Sequence, residues 1–200
     1  MANGPNYRVP FRRRREGRTN FYQRRNLLVS GRSRVVIRPS ARNVVVQVTD
    51  AKLKGDMIRA AASSKQLQKE FGWKFGTGNL PCAYLSGYLL GKKALKAGLT
   101  NGIADIGLRT HVNRTWAALK GVIDAGFEVP ADEEVFPEAD RLTGKHIESY
   151  AKQVKDATKE AGEKGEIESA SPFQFGKVND STKISAAVAE IKKKIDSKYA

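Results

Sequence analysis

The sequence predicts an α/β protein of the layered α+β kind, in which one mixed sheet carries two helices packed on one face. Two β-branched runs with a short turn between them indicate a hairpin, and a third run close behind extends it to a three-stranded meander. Two later segments have apolar residues at three- and four-residue spacing and end at a glycine, which is typical of amphipathic helices. A short apolar run between them supplies a further strand. A basic N-terminal arm and helix and a helical C-terminal extension flank this domain.

The first 32 residues predict a basic arm followed by a short helix. Glycine and proline interrupt residues 1–15, which have no apolar period, so we expect an extended arm that orders only on its partner. Residues 16–29 favour a short basic helix that ends before Gly31. Such a helix has little core to bury on its own.

Three predicted strands follow in the order of a meander. Residues 34–38 and 44–48 are predicted strands, joined by a turn that contains Pro39. Residues 50–56 supply another turn. Residues 57–63 are ambiguous, because their propensity favours a helix whereas the short spacing favours a third strand, and we predict the strand.

The first of the two amphipathic helices begins after Asn79, a suitable N-cap, and ends before Gly98. Gly87 and Gly91 are spaced so that we expect this helix to approach the sheet closely. Its outward face carries three lysines, Lys92, Lys93 and Lys96.

A buried strand at residues 103–108 and a second helix at 113–125 complete the predicted domain. The composition then changes, because six acids and two prolines lie between residues 128 and 140, and we expect the domain to end near Val129. Three parts are predicted: the basic arm and helix at 1–32, the sheet-and-helix domain at 33–129, and the acidic helical extension at 130–200.

The extension is predicted to contain two helices. Residues 144–161 favour the first, and Ser181 is an N-cap for the second. The second has one narrow apolar stripe, which requires a docking surface either on its own domain or on a neighbour: Ile184, Val188, Ile191 and Ile195.

Positive charge is concentrated at the N-terminus of the 200-residue chain, which carries a net charge of +15. Residues 1–38 hold eleven arginines and one acid, residues 39–127 have a net charge of +8, and residues 128–200 have −3. Arginine binds phosphate bidentately and stacks on bases, whereas a membrane surface requires only point charge, so RNA is favoured over a membrane. No run reaches the length of a membrane span, and the single cysteine excludes internal disulfides and multi-thiolate metal sites.

Aromatic side chains alternate with the arginines, which is typical of surfaces that stack bases as well as neutralise phosphates. Trp73 and Lys74 lie in a loop before the Asn79 helix, where an aromatic residue is packed core as often as an RNA contact. The polar segment before the second helix is predicted as a phosphate-binding edge. The predicted RNA-binding residues are Arg8, Phe11, Arg12, Arg13, Arg14, Arg15, Arg18, Phe21, Tyr22, Arg24, Arg25, Arg32, Arg34, Trp73, Lys74, Lys92, Lys93, Arg109, His111, Asn113 and Arg114.

Patterns that carry catalysis are incomplete in this sequence. The loop at residues 72–79 matches neither phosphate-loop pattern, and the His146-x-Glu148 pair lacks the cysteine half of a zinc-deaminase motif. His111 has no serine, cysteine or carboxylate pattern beside it. We therefore predict no enzyme activity, no catalytic residues, no metal, no cofactor and no small-molecule substrate.

Five stretches, residues 7–22, 34–48, 79–91, 105–108 and 118–126, carry a joint resemblance. In this order they resemble the family of large-subunit ribosomal proteins that bind 5S ribosomal RNA, the L-eighteen family in its archaeal form, related to the eukaryotic L-five protein. The acidic segment and last helix are similar to the archaeal extension. The resemblance implies a domain of the translational-machinery type, an N-terminal arm that threads into RNA, and contacts between the 109–114 loop and 5S RNA.

The sequence thus predicts a cytoplasmic, structural protein of the large ribosomal subunit. It is expected to bind 5S rRNA, attach it at the central protuberance, and contact 23S rRNA and neighbouring ribosomal proteins, with no membrane partner. Two other classes stay open: an RNA-processing nuclease of similar layered fold, for which only Asp105 is a carboxylate at a strand end, and an extraribosomal or chaperone-like partner that uses the acidic tail.

Overall fold

The structure, a computed structural model, describes residues 4–108, 112–164 and 181–199, and gives only the backbone for 155–164. Its strands are β1 (Arg34–Pro39), β2 (Val44–Lys52), β3 (Gly55–Ser63) and β4 (Ile103–Asp105). Its helices are α1 (Arg12–Arg15), α2 (Phe21–Val29), α3 (Ser64–Phe71), α4 (Leu80–Lys96), α5 (Asn113–Asp124), α6 (Ala139–Thr143), α7 (Lys145–Lys164) and α8 (Ile184–Tyr199).

The four strands form one mixed sheet in the order β3-β2-β1-β4. β1 pairs antiparallel with β2 and β2 antiparallel with β3, whereas β4 joins β1 in parallel. The predicted meander with one further strand, and the α/β class, are therefore confirmed. The turn between β2 and β3 is shorter than predicted, because pairing continues to Lys52 and Gly55.

Alternation along the strands gives the sheet two different faces. One face packs against the helices and carries fully buried side chains such as Val35, Ile37 and Val46. Side chains of the opposite parity, including Val36 and Arg38 of β1, lie on the other face, which we call the open face. Asp105 of β4 is paired with Val36 and lies on the open face as well.

The helices α4 and α5 cover the core face of the sheet and pack closely on each other. A Cβ atom at Gly87 would overlap the backbone of Ala118 in α5, and one at Gly91 would contact Val122 and Ala125 of the same helix. The prediction that these glycines bring α4 to the sheet is therefore wrong. The two glycines allow α4 and α5 to approach each other closely, because a glycine has no side chain to keep the backbones apart.

Several segments differ from the sequence-based predictions, and helix α6 was also not predicted. Residues 12–15 form one helical turn where an extended arm was expected, and α2 begins at Phe21 because Asn20 caps it. Helix α3 was not predicted, although Ser63 caps its start and Gly72 ends it with a φ of 74°. The fourth strand is shorter than predicted, because Gly107 turns the chain at a φ of 72°.

The last helix docks on the chain's own domain, one of the two alternatives left open for its apolar stripe. All four residues of the stripe are buried, and they join the core that α4 and α6 contribute. Tyr88 of α4 donates a hydrogen bond to Asp196 at 2.6 Å, and Lys198 pairs with Glu70 of α3 at 2.7 Å. Charged contacts at its edge therefore fix α8 in register with α3 and α4.

Candidate nucleic-acid interface

The N-terminal segment, residues 7–32, lies over the open face of the sheet. A cleft of about 840 Å³ separates the segment from the sheet. Its walls are α2 on one side and β1 on the other, with apolar contributions from Phe21, Leu27 and Val36. Cationic side chains line the same cleft: Arg13, Arg18, Arg24, Arg34 and Arg38. The carboxylates of Asp56 and Asp105 line it as well, and its apolar groups with the exposed arginines suit a ligand that has flat bases and charged phosphates.

Around α1, one acid has several arginine neighbours. Glu16 lies 3.1 Å from Arg18 and 3.8 Å from Arg12, while Arg13 donates to the hydroxyl of Thr19 at 2.8 Å. Five other arginines of this segment are exposed, and within the described ranges none has a carboxylate partner: Arg8, Arg14, Arg15, Arg25 and Arg32. Their positive charge is therefore available to a polyanion without breaking an internal contact.

Three aromatic rings of the segment face solvent, and that of Tyr7 belongs to a residue that is 46% exposed. Phe11 is 75% exposed and Tyr22 is 74% exposed, although α2 and the arm lie beside the sheet. Phe21 is partly buried, and its ring lies 5.4 Å from that of Phe11 in a tilted arrangement. The rings of Phe11 and Tyr22 are thus positioned to stack on bases rather than to fill a core.

A series of ion pairs, which we call the ion-pair chain, connects α2 to the sheet, from the partly exposed Arg24 and Asp56 to the buried Arg34 and Asp105. Arg24 binds Asp56 bidentately, with distances of 2.7 and 3.0 Å. Arg34 lies 2.7 Å from Asp56 and 2.8 Å from Asp105, and Arg38 lies 2.8 Å from Asp105. The hydrogen bond from Arg24, together with Arg34, lowers the pKa of Asp56 to about 2, so this carboxylate is charged at neutral pH.

The ion-pair chain also removes the basis for the nuclease hypothesis. Asp105, the only strand-end carboxylate that qualified, accepts hydrogen bonds from Arg34, Arg38 and the amide of Gly107. A carboxylate occupied in this way is not free to bind a catalytic metal ion. Across the part of the chain that is described, no group of three His, Cys, Asp or Glu residues is arranged to hold a metal.

The predicted RNA contacts on α4 and in the loop before it do not line the cleft. Trp73 is 3% exposed and donates its ring N–H to the carbonyl of Gly76, so it belongs to the core and we leave it out of the interface. Lys92 pairs with Asp196 at 3.0 Å, and Lys93 donates to Ala61 and Gln66. Burial lowers the pKa of Lys93. Lys74 is exposed.

Residues of the predicted 109–114 edge have mixed placements. Arg109 and His111 lie outside the described residues. Asn113 is exposed at the first position of α5. Arg114 donates to the carbonyls of Ser40, Ala41 and Gly78, at 2.7, 3.3 and 3.3 Å. Its guanidinium therefore braces loops against each other.

Arg38 was missed as a site residue, although it was counted among the N-terminal arginines. Its side chain is 48% exposed, and it lines the cleft beside β4. Arg34 is only 2% exposed, so its guanidinium is an internal brace rather than a surface contact. The even spacing of Arg34 and Arg38 in β1 was a usable signal, because residues two or four apart share a face.

Among the described residues, no helix combines the length and apolarity that crossing a bilayer demands.

Comparison with known proteins identifies the family. A sequence model of the family described as "Ribosomal large subunit proteins 60S L5, and 50S L18" matches residues 5–105, which include the N-terminal segment, the sheet and α4. This chain belongs to that family. Its members are structural proteins of the large ribosomal subunit and not enzymes.

Similar family members come from archaea and bear the name large ribosomal subunit protein uL18. The protein from Thermofilum pendens is 49% identical over 162 residues, which cover 80% of this chain and 82% of that protein. The protein from Methanothrix thermoacetophila is 51% identical over 152 residues, or 75% and 89% of the two chains. The protein from Caldivirga maquilingensis is 45% identical over 206 residues, covering 100% of this chain and 95% of its own length. The family likeness to that protein therefore includes the helical extension.

Proposed function

We propose that this ribosomal protein binds 5S rRNA through its N-terminal segment and the open face of its sheet, and attaches that RNA to the large subunit. One observation carries the proposal: five exposed arginines of the segment have no carboxylate partner in the described ranges. Unpaired surface arginines at this density are stabilised by a polyanion, whereas a partner with little charge would leave them repelling each other.

The binding mechanism follows from the chemistry of each group. The unpaired arginines neutralise phosphates, and each neutralised phosphate releases counterions from the RNA. Phe11 and Tyr22 stack on unpaired bases, as exposed aromatic rings do in single-stranded RNA recognition. The rigid sheet presents Arg38 at a fixed place beside the cleft, because two contacts to Asp105 hold its guanidinium.

We assign 23S rRNA and neighbouring ribosomal proteins to other surfaces. The domain at 33–129 serves as the RNA-binding core, and the extension at 130–200 folds back on it through α8. The terminal helix α8 is itself basic, with four lysines against two acids, although residues 128–200 are acidic as a whole. Its exposed lysines suit a second stretch of RNA or an acidic neighbour, and the segment at 109–114 is assigned to 5S RNA.

Recovery of the bound RNA tests the proposal. The tagged full-length chain is isolated under mild salt from cells treated to dissociate their ribosomes, and the co-purified RNA is sequenced. We expect 5S rRNA to be the most enriched species relative to its share of total RNA. Enrichment of transfer RNA, or of RNA in proportion to cellular abundance, would overturn the assignment to 5S rRNA.

A further inference from the structure

Helix α2 carries proposed RNA contacts, yet its apolar attachment to the rest of the protein is limited to partly buried side chains such as Phe21 and Leu27. None of its nine residues is buried, and Tyr22, Arg25 and Val29 are exposed. A helix this short is unstable alone in water and needs tertiary contacts to keep its place. What positions α2 is therefore a separate question from what α2 binds.

The bidentate ion pair between Arg24 and Asp56 is the contact that supplies this attachment. The two terminal guanidinium nitrogens of Arg24 each donate to one carboxylate oxygen of Asp56, which fixes direction as well as distance. Asp56 lies near the start of β3, 32 residues away along the chain, and it also pairs with the buried Arg34. One carboxylate thus joins the RNA-binding helix to the most deeply placed cation of the sheet.

We propose that Asp56 is a positioning residue for RNA binding, which holds α2 against the open face through Arg24 and so preforms the arginine-lined cleft. The inference rests on the proposed function. The expected effect on RNA affinity is the opposite of the effect that charge alone predicts, because Asp56 is an acid on a surface that we propose faces RNA. Removing a negative charge there should strengthen binding if charge alone mattered, whereas losing a positioning contact should weaken it.

The first test is the affinity for 5S rRNA of the full-length Asp56→Asn variant, measured by filter binding at fixed salt. We expect a loss of about tenfold, since α2 is no longer pre-positioned in the variant and has to be ordered on binding. Asp50→Asn is the matched control, because Asp50 has a similar side-chain exposure, 28% against 31%, and contacts Ser33 and Arg59 rather than α2. It removes the same charge and should leave the affinity unchanged or slightly raised.

A double-mutant cycle with Arg24→Gln shows whether Asp56 acts through Arg24. Substituting Asp56 should weaken binding in the wild-type background and have less than a twofold effect in the Arg24→Gln background. Equal losses in the two backgrounds would overturn the inference. So would unchanged or tighter binding by Asp56→Asn, provided that the wild-type chain binds 5S rRNA.

A distance measurement follows the helix itself, independently of RNA and of overall folding. Spin labels are attached at Asn26→Cys in α2 and Lys52→Cys in β2, both exposed positions. The native Cys82 does not compete, because it is fully buried and burial raises the pKa of its thiol to about 12. We expect a narrow distance distribution in the labelled parent and a broad one with Asp56→Asn, while circular dichroism stays unchanged.

These results separate failure of the inference from failure of the proposed function. A parent chain that binds 5S rRNA no better than a transfer RNA would overturn both. A parent that prefers 5S rRNA, with a distance distribution that Asp56→Asn leaves narrow, would overturn the positioning role alone.

Discussion

The guanidinium of Arg34 lies 2.8 Å from the carboxylate of Asp105, and only 2% and 10% of these two side chains are exposed. The pair joins β1 to β4, the only parallel neighbours in the sheet described here. Arg38 shares the same carboxylate from the solvent side. Asp105 thus holds one arginine inside the protein and another, Arg38, at the surface that we propose faces RNA.

Replacing Asp105 with Asn should destabilise the protein strongly. The change leaves the buried Arg34 with Asp56 as its remaining carboxylate, and removing one partner of a buried pair costs about 3–5 kcal/mol. Urea denaturation measures the loss. Asp50→Asn, a partly exposed acid on the neighbouring β2, serves as the control and should cost less than about 1 kcal/mol. Equal losses for the two variants would contradict the bracing role of Asp105.

The stability contributed by Asp56 should depend on pH in one direction. Its folded pKa of about 2 lies below the value of about 3.9 for an unfolded Asp, so the contribution is complete above about pH 5. It is then lost as the pH falls from about 5 toward 2. The difference in the free energy of unfolding between the wild type and Asp56→Asn should therefore be largest near neutral pH and shrink steadily in acid. A difference that stays constant from pH 7 to pH 2.5 would show that Asp56 gains nothing from its arginines.

Tyr22 should contribute to RNA affinity and not to stability. Its ring is 74% exposed, so Tyr22→Ala removes no core contact, whereas stacking on a base is worth about 1–3 kcal/mol of binding. Filter binding to 5S rRNA and a thermal melt of the free protein measure the two effects. Tyr22→Phe retains the ring and should keep most of the affinity. A lowered melting temperature with unchanged affinity would instead assign Tyr22 to folding.

The docking of α8 should stabilise the domain without contributing to 5S recognition. Ile195 is fully buried, so Ile195→Ala should cost about 2–5 kcal/mol of unfolding free energy, measured in urea. Lys193→Ala, an exposed position on the same helix, is the control and should change stability by less than about 0.5 kcal/mol. Affinity per folded molecule should stay within twofold for both. A stability loss below about 1 kcal/mol for Ile195→Ala would contradict the docked arrangement.

Local patterns were sufficient for most of the fold. β-branched runs located β1 and β2, the short spacing after them located β3, and the Asn79 cap with its glycine stop located α4. Helix α3 was not predicted, because it is short and because its caps, Ser63 and Gly72, flank a segment with few apolar residues. The sequence also did not identify α5 as the element that Gly87 contacts. A small residue indicates that another element approaches closely but does not indicate which one.

The sequence predicted the candidate site less completely than it predicted the fold. The clustered arginines identified the segment, but they could not be divided into free and internally paired members. That division depends on contacts across the chain: Asp56 is 32 residues from Arg24, and Asp105 is 71 residues from Arg34. Lys93 shows the same limit, because it donates to Ala61 and Gln66, which are 32 and 27 residues away along the chain.

The central claim, that the unpaired N-terminal arginines bind 5S rRNA, predicts a change in salt dependence. The test variant replaces with Gln the five arginines Arg8, Arg14, Arg15, Arg25 and Arg32. The control variant makes the same charge change at five exposed lysines on the other elements, Lys65, Lys69, Lys152, Lys183 and Lys193. Because these ten side chains make no ion pair within the described part of the chain, neither set should unfold the protein.

Filter binding of the wild type and both variants to 5S rRNA, over a range of salt concentrations, gives the slope of log affinity against log salt. Each lost phosphate contact reduces the steepness by about 0.7–0.9, so the arginine variant should have a slope about 3.5–4.5 shallower than the wild type. The lysine variant should keep the wild-type slope. Equal slopes for the arginine variant and the wild type, or an equal reduction in both variants, would contradict the claim.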